Sequence, residues 1–201
     1  MELPTLSKLT RNIEIADELH ARRGTTFEPQ DLPDPFGRVV RAVDKILYTK
    51  NIPAVVCGDW AVWRYGYPRR ISDDLDIILP RAPVAEFMVS ARAFGFDDAT
   101  SGRRWPRLTH CETQLQVDIL PESLSPGLGG EPGRLRFIDL PSLLVMKLAA
   151  DRTRDRSDVV DLLLTNPKQV AQLRAHAAVV NPRYAALFDQ LAESAAAQCD
   201  S

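Results

Sequence analysis

The run Asp74–Leu79 carries two aspartates two positions apart among Leu and Ile residues. Such a run predicts a β-strand, in which side chains at positions i and i+2 share one face. Asp74 and Asp76 therefore lie side by side, while Leu75 and Ile77 enter the opposite face. Neighbouring half-buried carboxylates repel each other, and a divalent cation removes that repulsion. Their hard oxygen atoms suit Mg²⁺ in particular.

A second strand candidate, Gln114–Leu120, holds a single acid, Asp118, among strong β-formers. An unpaired carboxylate in a half-buried strand is costly, so it needs a cation or an ion-pair partner. If this strand lies beside Asp74–Leu79, three carboxylates converge, and together they can hold two metal ions for phosphoryl transfer. Two alternatives stay open: an acidic turn before the first strand, and a salt bridge from Asp118 to Arg103 or Arg107.

A glycine turn lies upstream of the acidic strand. Gly58 separates a short buried strand, Pro53–Cys57, from a predicted short helix, Asp59–Tyr65, which Asp59 can cap. Such a turn directs backbone N–H groups and a helix N-terminus towards phosphate. Beside the aspartates, the turn favours a nucleoside triphosphate site.

The remaining elements follow from apolar periodicity. Helices are predicted at Leu6–Arg22, Phe36–Tyr48, Pro83–Phe94, Leu143–Leu148 leading into Asp158–Leu164, Lys168–Val179 and Pro182–Gln198. Further strands are predicted at Arg103–Cys111 and Leu135–Ile138, and the Pro- and Gly-rich stretch Pro121–Gly133 is a predicted loop.

These elements predict an α+β fold, with a small mixed β-sheet flanked by helices. We expect an N-terminal helical extension over 1–50, an α/β core over 51–140 and a C-terminal helical region over 141–201. Apolar residues make up 45% of the 201 residues, which is enough for a real core. The net charge of −2 gives no global basic field for nucleic acid.

Cysteine usage and hydropathy indicate the compartment. The three cysteines include no CxxC pair, so neither a disulfide framework nor a structural zinc site is expected. No apolar run approaches the roughly 20 residues that span a bilayer. We expect a cytoplasmic protein with no membrane partner.

The order of these motifs resembles the nucleotidyltransferase superfamily related to DNA polymerase β, and more narrowly its minimal-nucleotidyltransferase and AbiEii-type toxin group. Members show a glycine pair or Gly-Ser after a strand, then a DxD, then a single strand acid. The matching positions are Gly58-Asp59, Asp74 with Asp76, and Asp118. The resemblance covers about residues 50 to 165, including a similar approach to the DxD over Tyr65–Asp76.

Members of this group also carry a late helix with a lysine, followed by Arg-x-Lys-Asp-x-x-Asp. The matching stretch here begins at Lys147 and continues with Arg152, Arg154, Asp155 and Asp158, where Arg154 replaces the motif lysine. The resemblance implies that this secondary motif belongs to the functional site.

The resemblance implies transfer of a nucleoside monophosphate from an NTP to a hydroxyl acceptor, with Mg²⁺ or Mn²⁺ as cofactor. Catalysis and metal binding would fall to Asp74, Asp76 and Asp118. Nucleotide binding would fall to Gly58, Asp59, Arg70, Ser72 and Lys147. The acceptor can be tRNA or other RNA, a protein or a small molecule, and an antitoxin protein is an expected partner if the chain is a toxin.

Asp59 departs from the family pattern, because members have Gly or Ser there. A carboxylate near phosphates is unfavourable unless a cation compensates it. Asp59 therefore favours an alternative function, a catalytically weakened nucleotide-binding or toxin–antitoxin interaction module. A structural helical adaptor is a third hypothesis. The arginines Arg103, Arg104 and Arg107 favour a phosphate-bearing acceptor.

Overall fold

The computed structural model describes residues 10, 13–15, 17–18, 21–22, 27–66, 72, 74–122 and 132–199. Within these ranges six strands form one mixed sheet, with the order β3-β4-β5-β2-β1-β6. The strands are β1 (Ala54–Val56), β2 (Asp74–Leu79), β3 (Phe96–Asp98), β4 (Arg107–His110), β5 (Gln116–Pro121) and β6 (Leu135–Phe137). The predicted α+β class is confirmed.

Helices flank this sheet and follow it. They are α1 (Phe36–Lys50), α2 (Gly58–Tyr65), α3 (Val84–Ala91), α4 (Leu140–Ala150), α5 (Thr153–Thr165), α6 (Val170–Val180) and α7 (Pro182–Cys199). The predicted helix over Leu6–Arg22 lies mostly outside the described residues, and those described at 10, 13–15, 17–18 and 21 are helical. No helix of the described ranges is long and apolar enough to cross a membrane.

Strand β2 lies inside the sheet, between β1 and β5. It pairs antiparallel with β1 and parallel with β5. The β2–β5 register places Asp74 opposite Gln116 and Asp76 opposite Asp118. On the other side of β5, the antiparallel strand β4 places Arg107 opposite Asp118.

The face of the sheet opposite the aspartates is apolar and packs into the core. Leu75, Ile77 and Val117 alternate with the acids and are buried in the core, as the period of two requires. Trp60 in α2 is also fully buried, and its indole N–H donates to the backbone carbonyl of Asp74 at 2.7 Å. This bond ties α2 to the first residue of the acidic strand.

The sheet differs from the predicted strands at its edge. The strand predicted at Arg103–Cys111 begins only at Arg107, because the chain bends at Arg104 and Trp105 and Pro106 has no backbone N–H to donate. The short strand β3 was not predicted. It has three residues, and two of them are exposed aspartates, so it lacks an apolar pattern.

Two predicted helix features also differ. The α4–α5 stretch is broken at Asp151, whose left-handed conformation (φ 48°) ends α4. Asp59 is not a helix cap, because α2 already begins at Gly58 and Asp59 lies in its first turn. Gly58 has φ +62°, a conformation that glycine adopts without strain.

A buried ion-pair network joins α4 to α5. The ammonium of Lys147 lies 2.7 Å from Asp158 and 3.3 Å from Asp155. The side chains are almost fully enclosed, with 9% of Lys147 and none of Asp155 exposed. Arg152 pairs with Asp155 from the solvent side. Removing one partner from such a network leaves a buried charge poorly compensated.

We expect Asp158→Asn to lower the free energy of unfolding by about 1.5–3 kcal/mol, because the Lys147 charge loses its nearest carboxylate while Asp155 remains at 3.3 Å. Urea denaturation measures this loss. The matched control is Asp151→Asn, which breaks the exposed pair between Asp151 and Arg156 at the same helix junction. Exposed pairs contribute little, so the control should change stability far less. Equal losses in the two variants would show that the buried network contributes no more to the free energy of unfolding than the exposed pair does.

Candidate active site

Three aspartates lie together on one face of the sheet, as the sequence predicts. We call Asp74, Asp76 and Asp118 the acidic row. Asp74 and Asp76 are two residues apart on β2, and Asp118 is the register partner of Asp76 on the parallel strand β5. Parallel pairing with this register therefore brings acids 42 positions apart in sequence next to each other.

The charges of the row are poorly compensated at Asp76. Burial, followed by the nearby carboxylates of Asp74 and Asp118, raises the pKa of Asp76 to about 7. Burial and the charge of Asp118 also raise the pKa of Asp74. Within the described residues the Asp76 carboxylate receives no side-chain hydrogen bond or ion pair. Such a carboxylate is a ready ligand for a cation.

Gly58 leaves space for the Asp76 carboxylate. A Cβ atom at this position would overlap Oδ2 of Asp76 and lie 2.7 Å from its Cγ. The neighbouring backbone N–H of Cys57 donates to the carbonyl of Asp76 at 2.9 Å. Any other residue at position 58 would push against the acid, so glycine is required by this approach as well as by its positive φ.

Asp118 has a different environment, because Arg107 pairs with it. The guanidinium donates through Nε and Nη2 to the two carboxylate oxygens of Asp118 and through Nη1 to Gln116. Nη2 also lies 3.3 Å from Oδ2 of Asp74. The salt bridge between Asp118 and Arg107, one of the two arginines left open by the sequence, is confirmed. Arg107 consequently does not extend towards an acceptor.

The fit of the acidic row to metal is therefore uneven. Asp74 and Asp76 offer hard oxygen atoms, which suit Mg²⁺ or Mn²⁺. The charge of Asp76 meets no cation among the described side chains at ion-pair distance, and that of Asp74 meets only Nη2 of Arg107 at 3.3 Å. Asp118 faces Arg107 instead. In the described part of the chain no three carboxylate, imidazole or thiol side chains are grouped so that they can hold one ion. The donor chemistry fits a divalent cation at Asp74 and Asp76, and not a set of three carboxylates in this arrangement.

A cavity of about 450 Å³ opens over Asp76 and Asp118 of the row, while Asp74 is not among its lining residues. Its walls come from the α2 turn, the loop before β4, and helices α4 and α5. Among its lining residues are Gly58, Asp59, Asp76, Arg104, Trp105, Asp118, Lys147, Arg152, Arg154 and Asp155. The structure thus brings most of the predicted site residues to one cavity, including Arg152, Arg154 and Asp155 of the secondary motif.

The other predicted site residues lie elsewhere or are differently engaged. Ser72 is buried, and its hydroxyl donates to the carbonyl of Asp74 at 3.2 Å, so it supports the strand. Asp158 lies behind the cavity, where it binds Lys147. Lys147 itself reaches the cavity wall while paired with two carboxylates. Arg70 lies outside the described residues.

The sequence did not identify Trp105 as a site residue. It lies in the loop between β3 and β4, and the Arg104 guanidinium stacks over its ring at 4.7 Å. Together with Ser101–Arg103 and Asp118, these two residues also line a neighbouring cavity of about 500 Å³. Loop residues have no periodic pattern, so the only available signal was the aromatic residue next to an arginine pair.

The fold is shared with a known antibiotic-resistance protein. The crystal structure of ANT(2")-Ia in complex with adenylyl-2"-tobramycin matches with a TM-score of 0.51 and 14% identity, over 73% of this chain and 97% of that chain. JHP933 from Helicobacter pylori matches with a TM-score of 0.37 and 17% identity, over 81% of this chain and 93% of that chain. The sequence matches no protein-family model and no curated protein.

The raised pKa of Asp76 predicts that replacing this acid with a neutral residue stabilises the folded protein. The folded-state pKa of about 7 lies above the ordinary value of 3.8, so ionisation opposes folding from about pH 4 upwards, and fully above pH 7. Without divalent cations, Asp76→Asn should therefore exceed wild type in stability by a few kcal/mol at pH 8 and match it near pH 4.

Thermal or urea denaturation in EDTA at the two pH values measures this difference. Asp98→Asn, which changes an exposed acid of β3, is the control and should give no gain at pH 8. A destabilised Asp76→Asn at pH 8 would show that the carboxylate is better compensated than the structure indicates.

Proposed function

We propose that this chain transfers a nucleoside monophosphate from an NTP to a hydroxyl group of an acceptor. The observation that carries the proposal is the placement of Asp76 and Asp118 as register partners on adjacent parallel strands, with Gly58 packed against Asp76. The fold shared with ANT(2")-Ia, whose structure holds an adenylylated product, supports it.

Asp74 and Asp76 would hold the divalent cation, Mg²⁺ or Mn²⁺. When bound, the cation neutralises charge on the phosphates and on the departing pyrophosphate. The N-terminus of α2 would hold the terminal phosphates, since its first residues, Gly58 and Asp59, line the cavity together with Asp76. This geometry would hold the α-phosphorus in reach of an acceptor near Asp118.

Asp118 would accept the proton of the acceptor hydroxyl. The hydroxyl oxygen would then bond to the α-phosphorus, the bond from that phosphorus to the bridging oxygen would break, and pyrophosphate would leave. Arg107 fixes the orientation of Asp118 by two hydrogen bonds. Catalysis of this kind consists of positioning and charge stabilisation.

Two cavity arginines supply positive charge for the nucleotide or the acceptor. Arg104 and Arg154 line the cavity and form no ion pair with any described residue. Arg154 stands where the family motif has a lysine. Lys147 adds a buried positive charge, which its two carboxylate partners largely compensate. These side chains would also offset the carboxylate of Asp59.

The loop before β4 favours a phosphate-bearing acceptor such as an RNA end. Arg103 and Arg104 are exposed and Trp105 lies beside them, so the cavity next to Asp118 offers positive charge with an aromatic surface. An acceptor rich in amines would be repelled there. Nucleic acid supplies phosphate for the arginines and bases that stack on tryptophan.

We expect Mg²⁺-dependent transfer of label from an NTP to an acceptor, and a loss of at least about 100-fold in Asp76→Asn and Asp118→Asn. Label incorporation into RNA, protein and small-molecule acceptors measures it. Asp98→Asn, in the same sheet but outside the cavity, should keep full activity. If wild type and Asp76→Asn incorporate label alike in all three acceptor classes, the proposed transfer is wrong.

We further expect the double variant Arg103→Gln/Arg104→Gln to bind single-stranded RNA more weakly. The slope of log affinity against log salt should become shallower by roughly 1 to 1.5, because two phosphate contacts are lost. Fluorescence anisotropy over a salt series measures it. Arg81→Gln/Arg92→Gln, which removes the same charge from the exposed surface near α3, is the control. Identical slopes for both variants would exclude the loop as the acceptor surface.

A second function is favoured by a specific pair of observations. Asp59 lines the cavity where relatives in the resembled group have a small residue, and Arg107 pairs with Asp118. A catalytically weakened module would bind NTP without turnover and act through a partner, such as the antitoxin that the AbiEii-type resemblance implies. Calorimetric binding of NTP with Mg²⁺, combined with no label transfer, would favour this module over the enzyme.

A further inference from the structure

Arg107 is buried against the acidic row and contacts acids on two strands. Its side chain is only 8% exposed, and it starts from β4, crosses β5 and reaches β2. It donates to both carboxylate oxygens of Asp118 and approaches Asp74 at 3.3 Å. One guanidinium therefore bridges two of the three acids.

The guanidinium is fixed by a third residue. Gln116, two positions before Asp118 on the same strand face, accepts a hydrogen bond from Nη1. All three nitrogen atoms of the guanidinium therefore have partners on β5, and the planar group has little freedom to turn away. A bidentate carboxylate pair of this kind is among the stronger ion pairs in proteins.

One divalent cation is enough to neutralise the two carboxylate charges of the row that Arg107 does not compensate. The single positive charge of Arg107 already compensates one of the three carboxylates, and the two charges of one divalent cation compensate the others. Asp76, which has no such partner among the described residues, is the natural ligand, together with Asp74. Asp118 has both oxygens facing Arg107 and is poorly placed to hold a metal as well.

We infer that Arg107 acts as a built-in cation in place of a second metal ion, so that the nucleotide-bound protein takes one divalent cation per chain. Arg107 is then a positioning residue, which holds Asp118 for the acceptor hydroxyl. The inference rests on the proposed function, because it assumes the metal-assisted nucleotide site at Asp74 and Asp76.

The test counts bound Mn²⁺ by electron paramagnetic resonance in the presence of an α,β-methylene NTP analogue, which cannot transfer its nucleotide. Wild type should bind one Mn²⁺ per chain. Arg107→Gln removes the charge and frees Asp118, so it should bind two. Arg107→Lys keeps the charge and should return the count to one. Arg81→Gln, a matched change on the exposed surface, should stay at one.

The outcomes separate this inference from the proposed function. Two ions in wild type, or one ion in Arg107→Gln, would overturn the role given to Arg107 and leave nucleotide transfer standing. If wild type binds no Mn²⁺, both the proposed function and the inference are wrong. Circular dichroism of each variant checks that it is folded, and the wild-type count tests the inference even if Arg107→Gln does not fold.

Discussion

Parallel pairing of β2 with β5 is the constraint on which the site depends. A shift of one residue in this register would turn every side chain of one strand to the other face. The acids would then enter the apolar core, and Leu75 or Val117 would enter the cavity. The buried face therefore fixes the positions of the acids, because burial of its apolar residues outweighs the repulsion between carboxylates on the other face.

The site contains two internal cations that differ in position but follow one rule. Lys147 lies between Asp155 and Asp158, and Arg107 lies between Asp74 and Asp118. Lys147 ties α4 to two carboxylates of α5, and Arg107 joins carboxylates of β2 and β5, and each pairing makes the buried charges tolerable. Asp76 lies between these two pairs with no such cation. Its uncompensated charge is the local instability that ligand binding can relieve.

The sequence predicted the shared face of Asp74 and Asp76 because that information is local, whereas the place of Asp118 beside them depended on the pairing of β2 with β5. Two aspartates at i and i+2 in a strand share a face whatever the strand's neighbours are. It could not decide whether Arg103 or Arg107 pairs with Asp118, because that choice depends on the register of β4 against β5. Trp105 was not predicted as a site residue for a similar reason, because only the folding of its loop brings it next to Asp118 at the cavity. The break at Asp151 was missed because a non-glycine residue takes a left-handed conformation there.

Helix α4 and the start of α5 line the same cavity as the acidic strands. Lys147, Arg152 and Arg154 line the same cavity as Gly58 and Asp76, although they lie more than 70 residues away in sequence. The buried Lys147 network holds α4 against α5 and so fixes the junction from which the two arginines extend. A nucleotide bound at the α2 turn would then contact both halves of the chain, and its binding would stabilise their packing.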